Sequence, residues 1–142
     1  MSLLSFKIIT PEKVIFSAEV DQVSLMTTTG EITVLPQHIP LVTVLQPGEL
    51  RYKKDGQEFP LAVSGGFAEV KADSSLVILA DTAEHATEID LTRAEEARDR
   101  AMQTMQTARA TDDVSYAALQ VALERALNRV KVGNKYRNLP RQ

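Results

Sequence analysis

The chain is 142 residues long, 44% hydrophobic and formally −3 in charge, enough for one ordinary globular core with a small appendage. It has no cysteine, which excludes disulfide staples, thiolate nucleophiles and Cys-ligated metals and leaves His38 and His85 as the two imidazoles. It has no run of eighteen apolar residues, and the opening MSLLSFKIITPEK has neither a signal-peptide core nor an Arg/Ser-rich transit pattern, so a cytosolic protein is expected.

Up to about residue 86 the pattern has period two, in short segments rich in Val, Ile, Leu, Phe and Thr separated by turn signals. The candidate strands are Phe6 to Thr10, Lys13 to Phe16, Asp21 to Thr27, Gly30 to Leu35, Leu41 to Val44, Gly48 to Lys53, Gln57 to Val63, Gly66 to Lys71 and Ser75 to Leu79. Asp55-Gly56 is a strong hairpin signal because both residues tolerate positive φ, and Pro47-Gly48 marks another turn. Ser64-Gly65-Gly66 resembles a phosphate-cradling loop only superficially, because it lies between strands and opens no helix; a tight turn or bulge is expected there. Nine short strands in this span predict a sandwich or flattened barrel.

From about Asp90 the period changes to 3.6. Leu91, Ala94, Ala97, Ala101, Met105 and Ala108 share one face of a helix that Asp90 can cap through its carboxylate. A second helix follows Thr111-Asp112-Asp113, with Ala118, Leu119, Ala122, Leu123, Ala126, Leu127 and Val130 on one side and Gly133 as its expected stop. Asn134 to Gln142 then form a polar, frayed end. The short break between the helices makes an antiparallel hairpin. Most facing positions are Ala, and Ala in place of Leu forgoes roughly 2 kcal/mol of burial per site, so the hairpin depends on docking and is able to undock. The expected fold class is α+β: an antiparallel β-sandwich or flattened barrel over residues 1–87, then an antiparallel two-helix hairpin over 88–142.

The small net charge hides an asymmetry. Residues 1–86 carry six Lys/Arg against eleven Asp/Glu, or −5, whereas residues 114–142 carry six Lys/Arg against Glu124 alone, or +5. Charge by itself leaves nucleic acid, an anionic membrane surface, a phosphate ligand and an acidic protein all open as partners for the basic tail.

The run GEITVLPQHIPLVTVLQPGELR, from Gly30 to Arg51, narrows the choice. It resembles the epsilon-subunit pattern of F-type ATP synthases: Gly-Glu, a short apolar strand, Pro-x-His-x-Pro-Leu, then a Pro-Gly turn. VSGGFAEV (Val63 to Val70), VILADTAE (Val77 to Glu84), IDLTRAEEARDRA (Ile89 to Ala101) and DDVSYAALQVALERALNRVKV (Asp112 to Val132) keep the family's order over nearly the whole chain. The resemblance implies a β-sandwich followed by a helical hairpin, in agreement with the periodicities. It also implies a non-catalytic rotor subunit of the central stalk that couples ring rotation to the catalytic head and inhibits ATP hydrolysis through its hairpin. The implied partners are the gamma subunit, the membrane ring of c subunits, and the catalytic beta and alpha subunits reached by the extended hairpin. Neither nucleic acid nor direct lipid insertion is implied, and the location is peripheral, on the cytoplasmic face of a bacterial inner membrane.

The resemblance also assigns residues, each with a plainer alternative. Glu31 and His38 become candidate ring contacts, although Gly30 and Pro36 are equally explained by turn geometry and His38 by a hydrogen bond holding its loop. Ile89 to Ala94 matches the I/L-D-x-x-R-A motif that in some members belongs to an ATP site; by position, that site carries over to Glu84, Asp90, Arg93, Arg100, Arg125 and Arg129. Arg93 and Arg100 fall on one helix face and Arg125 and Arg129 on another, where like charges repel unless an anion lies between them. Equally, Asp90 caps the helix, Glu96 pairs with Arg100, and the other arginines are solvated or await an acidic protein. By resemblance, Arg125, Arg129 and Lys131 meet an acidic segment of the catalytic beta subunit. No cofactor is required, with ATP as the candidate regulatory ligand, and neither catalytic nor metal residues are expected.

Two rival classes fit these residues poorly. An enzyme would have two imidazoles on different elements, no G-x-S-x-G, no H-E-x-x-H and no convincing carboxylate pair. A nucleic-acid module would have only Tyr116 and Tyr136 as stacking aromatics in the tail, beside an acidic body.

Overall fold

The computed structural model describes residues 2–107 and 113–138. The chain forms two compact units, Met1–Ala86 and Thr87–Gln142. The first holds eight strands: β1 (Leu4–Ile9), β2 (Val14–Val20), β3 (Gln22–Thr27), β4 (Gly30–Val34), β5 (Leu41–Leu45), β6 (Gly48–Lys54), β7 (Gln57–Lys71) and β8 (Ser75–His85). They are ordered β2-β1-β8-β7-β5-β3-β4, with β6 joining β3 to β7. Every pairing is antiparallel except β1 with β8, which is parallel because the two ends of the unit's chain enter the sheet side by side in the same direction. The inward residues of both sheets, among them Leu4, Phe6, Ile8, Leu25, Leu61 and Ile78, are at most 1% exposed and form one core.

The described residues form eight strands where the period-two pattern predicts nine, because Gln57 to Val63 and Gly66 to Lys71 are one element, β7. Ser64-Gly65-Gly66, expected as a tight turn or bulge rather than a phosphate loop, does not reverse the chain but bends it inside β7. Its N-terminal part pairs with β6, up to Val63 opposite Gly48, and its C-terminal part pairs with β5, from Gly66 opposite Leu45. Pairing with β8 continues on both sides of this change, at Ser64–Thr82 and Gly66–Ala80. Gly65 and Gly66 have φ of 49° and 132°, so the strand bends between sheets without ending. The Asp55-Gly56 hairpin forms as expected, with φ of 53° and 77° at its two central residues and Lys54 paired with Gln57.

After β8 a 3-10 turn (Ala86–Glu88) leads to α1 (Leu91–Thr107), and α2 spans Asp113–Lys135. Leu91, Ala94, Ala97, Ala101 and Met105 are the buried or half-buried stripe of α1, as their spacing predicts; Ala108, Thr111 and Asp112 lie outside the described residues. On α2 the expected stripe is narrower: Ala126 and Val130 are buried and Leu119 and Leu123 half-buried, but Ala118, Ala122 and Leu127 are exposed. Gly133 does not stop the helix, which continues through Asn134 and Lys135. It is a buried contact point: a Cβ there would lie 3.1 Å from Leu91 Cδ1 and 3.2 Å from Ile89 Cγ2. This contact joins the end of α2 to the start of α1 and makes the hairpin antiparallel.

The two glycines make different forecasts. A Cβ on Gly66 would sit 2.0 Å from the Leu79 carbonyl oxygen, against backbone that cannot yield, so Gly66→Ala is expected to cost more than about 3 kcal/mol and to abolish the cooperative β-type melt. Gly133→Ala meets only side-chain carbons and gains helix propensity, so its change should stay within about 1 kcal/mol by urea titration.

Candidate functional site

One end of β4 begins at a turn fixed by Thr27, which is 1% exposed; its hydroxyl donates to the Gly30 carbonyl at 2.6 Å and accepts from the Thr29 amide at 3.2 Å. Gly30, with φ of 124°, supplies the backbone conformation that starts the strand. Next to it, Glu31 Oε1 accepts a charge-assisted hydrogen bond from Arg51 Nη2, and Arg51 Nη1 lies 3.5 Å from Glu49 Oε1. Partial burial alone would lower the Arg51 pKa, but hydrogen bonds and charges from Glu31 and Glu49 outweigh it and raise the value, so Arg51 stays cationic.

The other end of β4 carries the His38 loop. Gln37 has φ of 66° after Pro36, and the His38 amide donates to the Leu35 carbonyl at 3.1 Å, the arrangement of a type II turn. The Gln37 amide donates to Ser74 Oγ at 2.9 Å, which ties the loop to the β7–β8 turn. His38 Nδ1 donates to the Ile39 carbonyl at 2.7 Å; a carbonyl only accepts, so the proton sits on Nδ1 and Nε2 is left as an acceptor in the neutral ring. Glu31 and His38, grouped by sequence, thus stand at opposite ends of one strand.

A third feature lies on the outer face of the sheet. Val44, Phe67, Leu79, Ile9 and Val14 pair in register across β5, β7, β8, β1 and β2. Four of them are large and open to solvent, Val44 at 46%, Phe67 at 55%, Leu79 at 51% and Val14 at 55%. Four strand spacings make this row about 19 Å long. Val42, 67% exposed, lies on the same side two residues from Val44. Scattered exposed apolar residues are ordinary, but a continuous row in register marks a contact surface. The signal was available in the apolar runs LVTVL and SLVILA, which put hydrophobic side chains on both faces of β5 and β8.

Inside the sandwich, Phe16, Tyr52 and Phe59 stack, with ring centroids 4.5 and 4.9 Å apart, and the Tyr52 hydroxyl meets His85 Nε2 at 3.1 Å. His85, which the sequence left without a role, is thereby tied to the aromatic core at the end of β8. Glu84, beside it, is half-buried and stands opposite Ala62 in register.

On the hairpin, Asp90 Oδ1 accepts from the Arg93 amide at 3.1 Å, so this carboxylate is a helix N-cap. Arg93, Arg100 and Lys131 are exposed, while Arg125 and Arg129 are half-buried on α2. Glu96 and Arg100, four apart, make no ion pair with each other; the ion pair on this stretch is Arg98 with Asp99, at 3.1 Å. Arg125 Nε is buried and lacks an acceptor among the described residues. No group of three or more His, Asp or Glu side chains able to hold a metal ion occurs among the described residues, and no helix there is long and apolar enough to cross a membrane.

Known proteins share both units. Residues 3–86 match the family described as "ATP synthase, Delta/Epsilon chain, beta-sandwich domain", and residues 87–134 match "ATP synthase, Delta/Epsilon chain, long alpha-helix domain". These define the class, a non-catalytic stalk subunit built from a sandwich and a helical domain. An ATP synthase epsilon chain of Herpetosiphon aurantiacus is 49% identical over 135 residues, covering 95% of this chain and 97% of its own. Another, of Geobacter metallireducens, is 46% identical over 132 residues, covering 93% and 94%. A chain in the cryo-EM structure of Euglena gracilis mitochondrial ATP synthase (OSCP/F1/c-ring in rotational state 1) superposes with a TM-score of 0.72 at 25% identity, covering 87% of this chain and 77% of that one. A chain of the Tetrahymena thermophila central stalk and c-ring shares the fold alone, with a TM-score of 0.65 at 15% identity over 92% of this chain and 96% of that one. The chain belongs to the ATP synthase delta/epsilon family, among the epsilon chains, and is a rotor stalk subunit rather than an enzyme.

The cap geometry gives a test at Asp90. Asp90→Ala should lower helix stability by about 1 kcal/mol, and Asp90→Ser should retain most of it, read from the urea midpoint of the 222 nm signal.

Proposed function

We propose that the sandwich is a rigid collar joining the gamma subunit to the membrane ring, and that the hairpin restrains ATP hydrolysis. The observation that carries this reading is the apolar row Val44, Phe67, Leu79, Ile9 and Val14, a surface suited to lie against gamma. Glu31 and His38, at the two ends of β4, are the proposed contacts to the ring's polar loops. Coupling of proton-driven ring rotation to the catalytic head passes through this collar, on the cytoplasmic face of a bacterial inner membrane. Phe67→Asp changes a side chain that is already 55% exposed, so the sandwich should melt as before while affinity for gamma falls at least about tenfold. Unchanged affinity in a pull-down titration with purified gamma would remove this surface from the proposal.

The hairpin is proposed to alternate between docked and extended positions, a choice that a bias of a few kcal/mol controls. The extended hairpin offers Arg125, Arg129 and Lys131 to an acidic segment of the catalytic beta subunit, next to alpha, and the +5 charge of residues 114–142 supports that partner. A second reading places ATP as a regulatory ligand on Glu84, Asp90, Arg93, Arg100, Arg125 and Arg129. The buried Arg125 Nε without an acceptor favours an anion there, whereas the use of Asp90 as a cap weighs against it.

Deleting residues 88–142, or replacing Arg125, Arg129 and Lys131 together by Ala, should raise ATP hydrolysis by the assembled enzyme, and the triple replacement more so at low salt. If instead ATP clamps the docked state, Arg93→Ala with Arg100→Ala should abolish calorimetric ATP binding by the intact chain and lower hydrolysis. Hydrolysis indifferent to the triple replacement at any salt concentration would rule out the beta-subunit contact.

A further inference from the structure

Glu31, Arg51 and Glu49 stand on β4 and β6 with β3 between them, and at the crossing point Ser24 pairs with both Thr33 and Arg51. The small Ser24 side chain, held by Thr33 Oγ1 at 2.8 Å, leaves the guanidinium room to reach across β3 to Glu31. An isolated surface pair of this kind gains little, because two long side chains lose rotamer freedom to form it. Here, however, a second carboxylate, Glu49, steadies Arg51 from behind, and its side chain is only 16% exposed. The turn beneath Glu31 is fixed independently by the buried Thr27 hydroxyl. Backbone and side chain are therefore both ordered at one exposed strand end. Only Oε1 of Glu31 is engaged by Arg51; among the described residues no donor reaches Oε2, and the side chain remains 42% exposed.

We propose that Arg51 is a positioning residue, which holds Glu31 so that Oε2 is preorganised to accept a hydrogen bond from a cationic or amide-bearing side chain in the ring's polar loops. The inference rests on the assignment of Glu31 to the ring made above. Ordering the carboxylate before contact spares the complex that entropy, which otherwise is lost on binding. Lysine cannot replace Arg51 fully, because an ammonium is a point charge without the fork that meets two carboxylates in fixed geometry.

The test uses the intact chain, added back to an ATP synthase lacking it in sealed vesicles. The readout is the chain concentration needed for half-maximal ATP-driven proton uptake, with the melt of the free chain as a control. Glu31→Ala and Arg51→Met should each raise that concentration about tenfold, equivalent to about 1.4 kcal/mol. Arg51→Lys should fall between, and the melts should be unchanged. The double variant should be no worse than Glu31→Ala alone, because Arg51 acts through Glu31. If Arg51→Met does not fold, Arg51→Lys alone and combined with Glu31→Ala carries the same comparison. A normal Glu31→Ala would overturn the ring contact and the inference together. A tenfold loss in Glu31→Ala with a normal Arg51→Met, or losses that add in the double variant, would overturn the positioning role and leave the ring contact standing.

Discussion

The sandwich depends on one backbone constraint, the passage of β7 from one sheet to the other at Gly65-Gly66. A strand that serves β6 with its first half and β5 with its second, while keeping β8 throughout, has to bend sharply without losing its ladder. At Gly66 only a residue free of a Cβ meets that demand, since the Leu79 carbonyl already occupies the space a side chain would need. The core closes between the sheets that this strand joins, and the same bend sets Phe67 outward while Ala68 and Val70 face inward. A constraint internal to the fold thus fixes where the apolar outer row stands.

The two units divide the physical work. The sandwich core is filled by Phe, Leu, Ile and Val side chains almost wholly removed from water, each contributing about 1.5–3 kcal/mol of burial, which suits a rigid collar. Among the described residues the hairpin buries Ala94, Ala126, Val130 and Val132 and leaves Leu127 and Val121 about half exposed, so its buried side chains are smaller than those of the sandwich. The charge is divided as well, −5 over residues 1–86 against +5 over residues 114–142.

Local chemistry was legible in the sequence. The switch from period two to period 3.6 near Asp90, the cap at Asp90, the hairpin at Asp55-Gly56 and the stripe on α1 all follow from propensities acting within a few residues. Family membership was legible too, because motifs such as Gly30 to Arg51 are collinear strings. Glycine signals local freedom, which is why Gly133 reads as a stop and Ser64-Gly65-Gly66 as a tight turn or bulge, whereas in the fold Gly133 and Gly66 answer a close approach by residues distant in sequence, Ile89 and Leu91 in one case and Leu79 in the other. Only the tertiary structure could join Glu31 to Arg51 across β3, part Glu31 from His38 by the length of β4, tie His85 to Tyr52, and align five strands into one apolar row. Those relations depend on register between strands, and the sequence determines which residues are able to pair without stating which of them come to lie side by side.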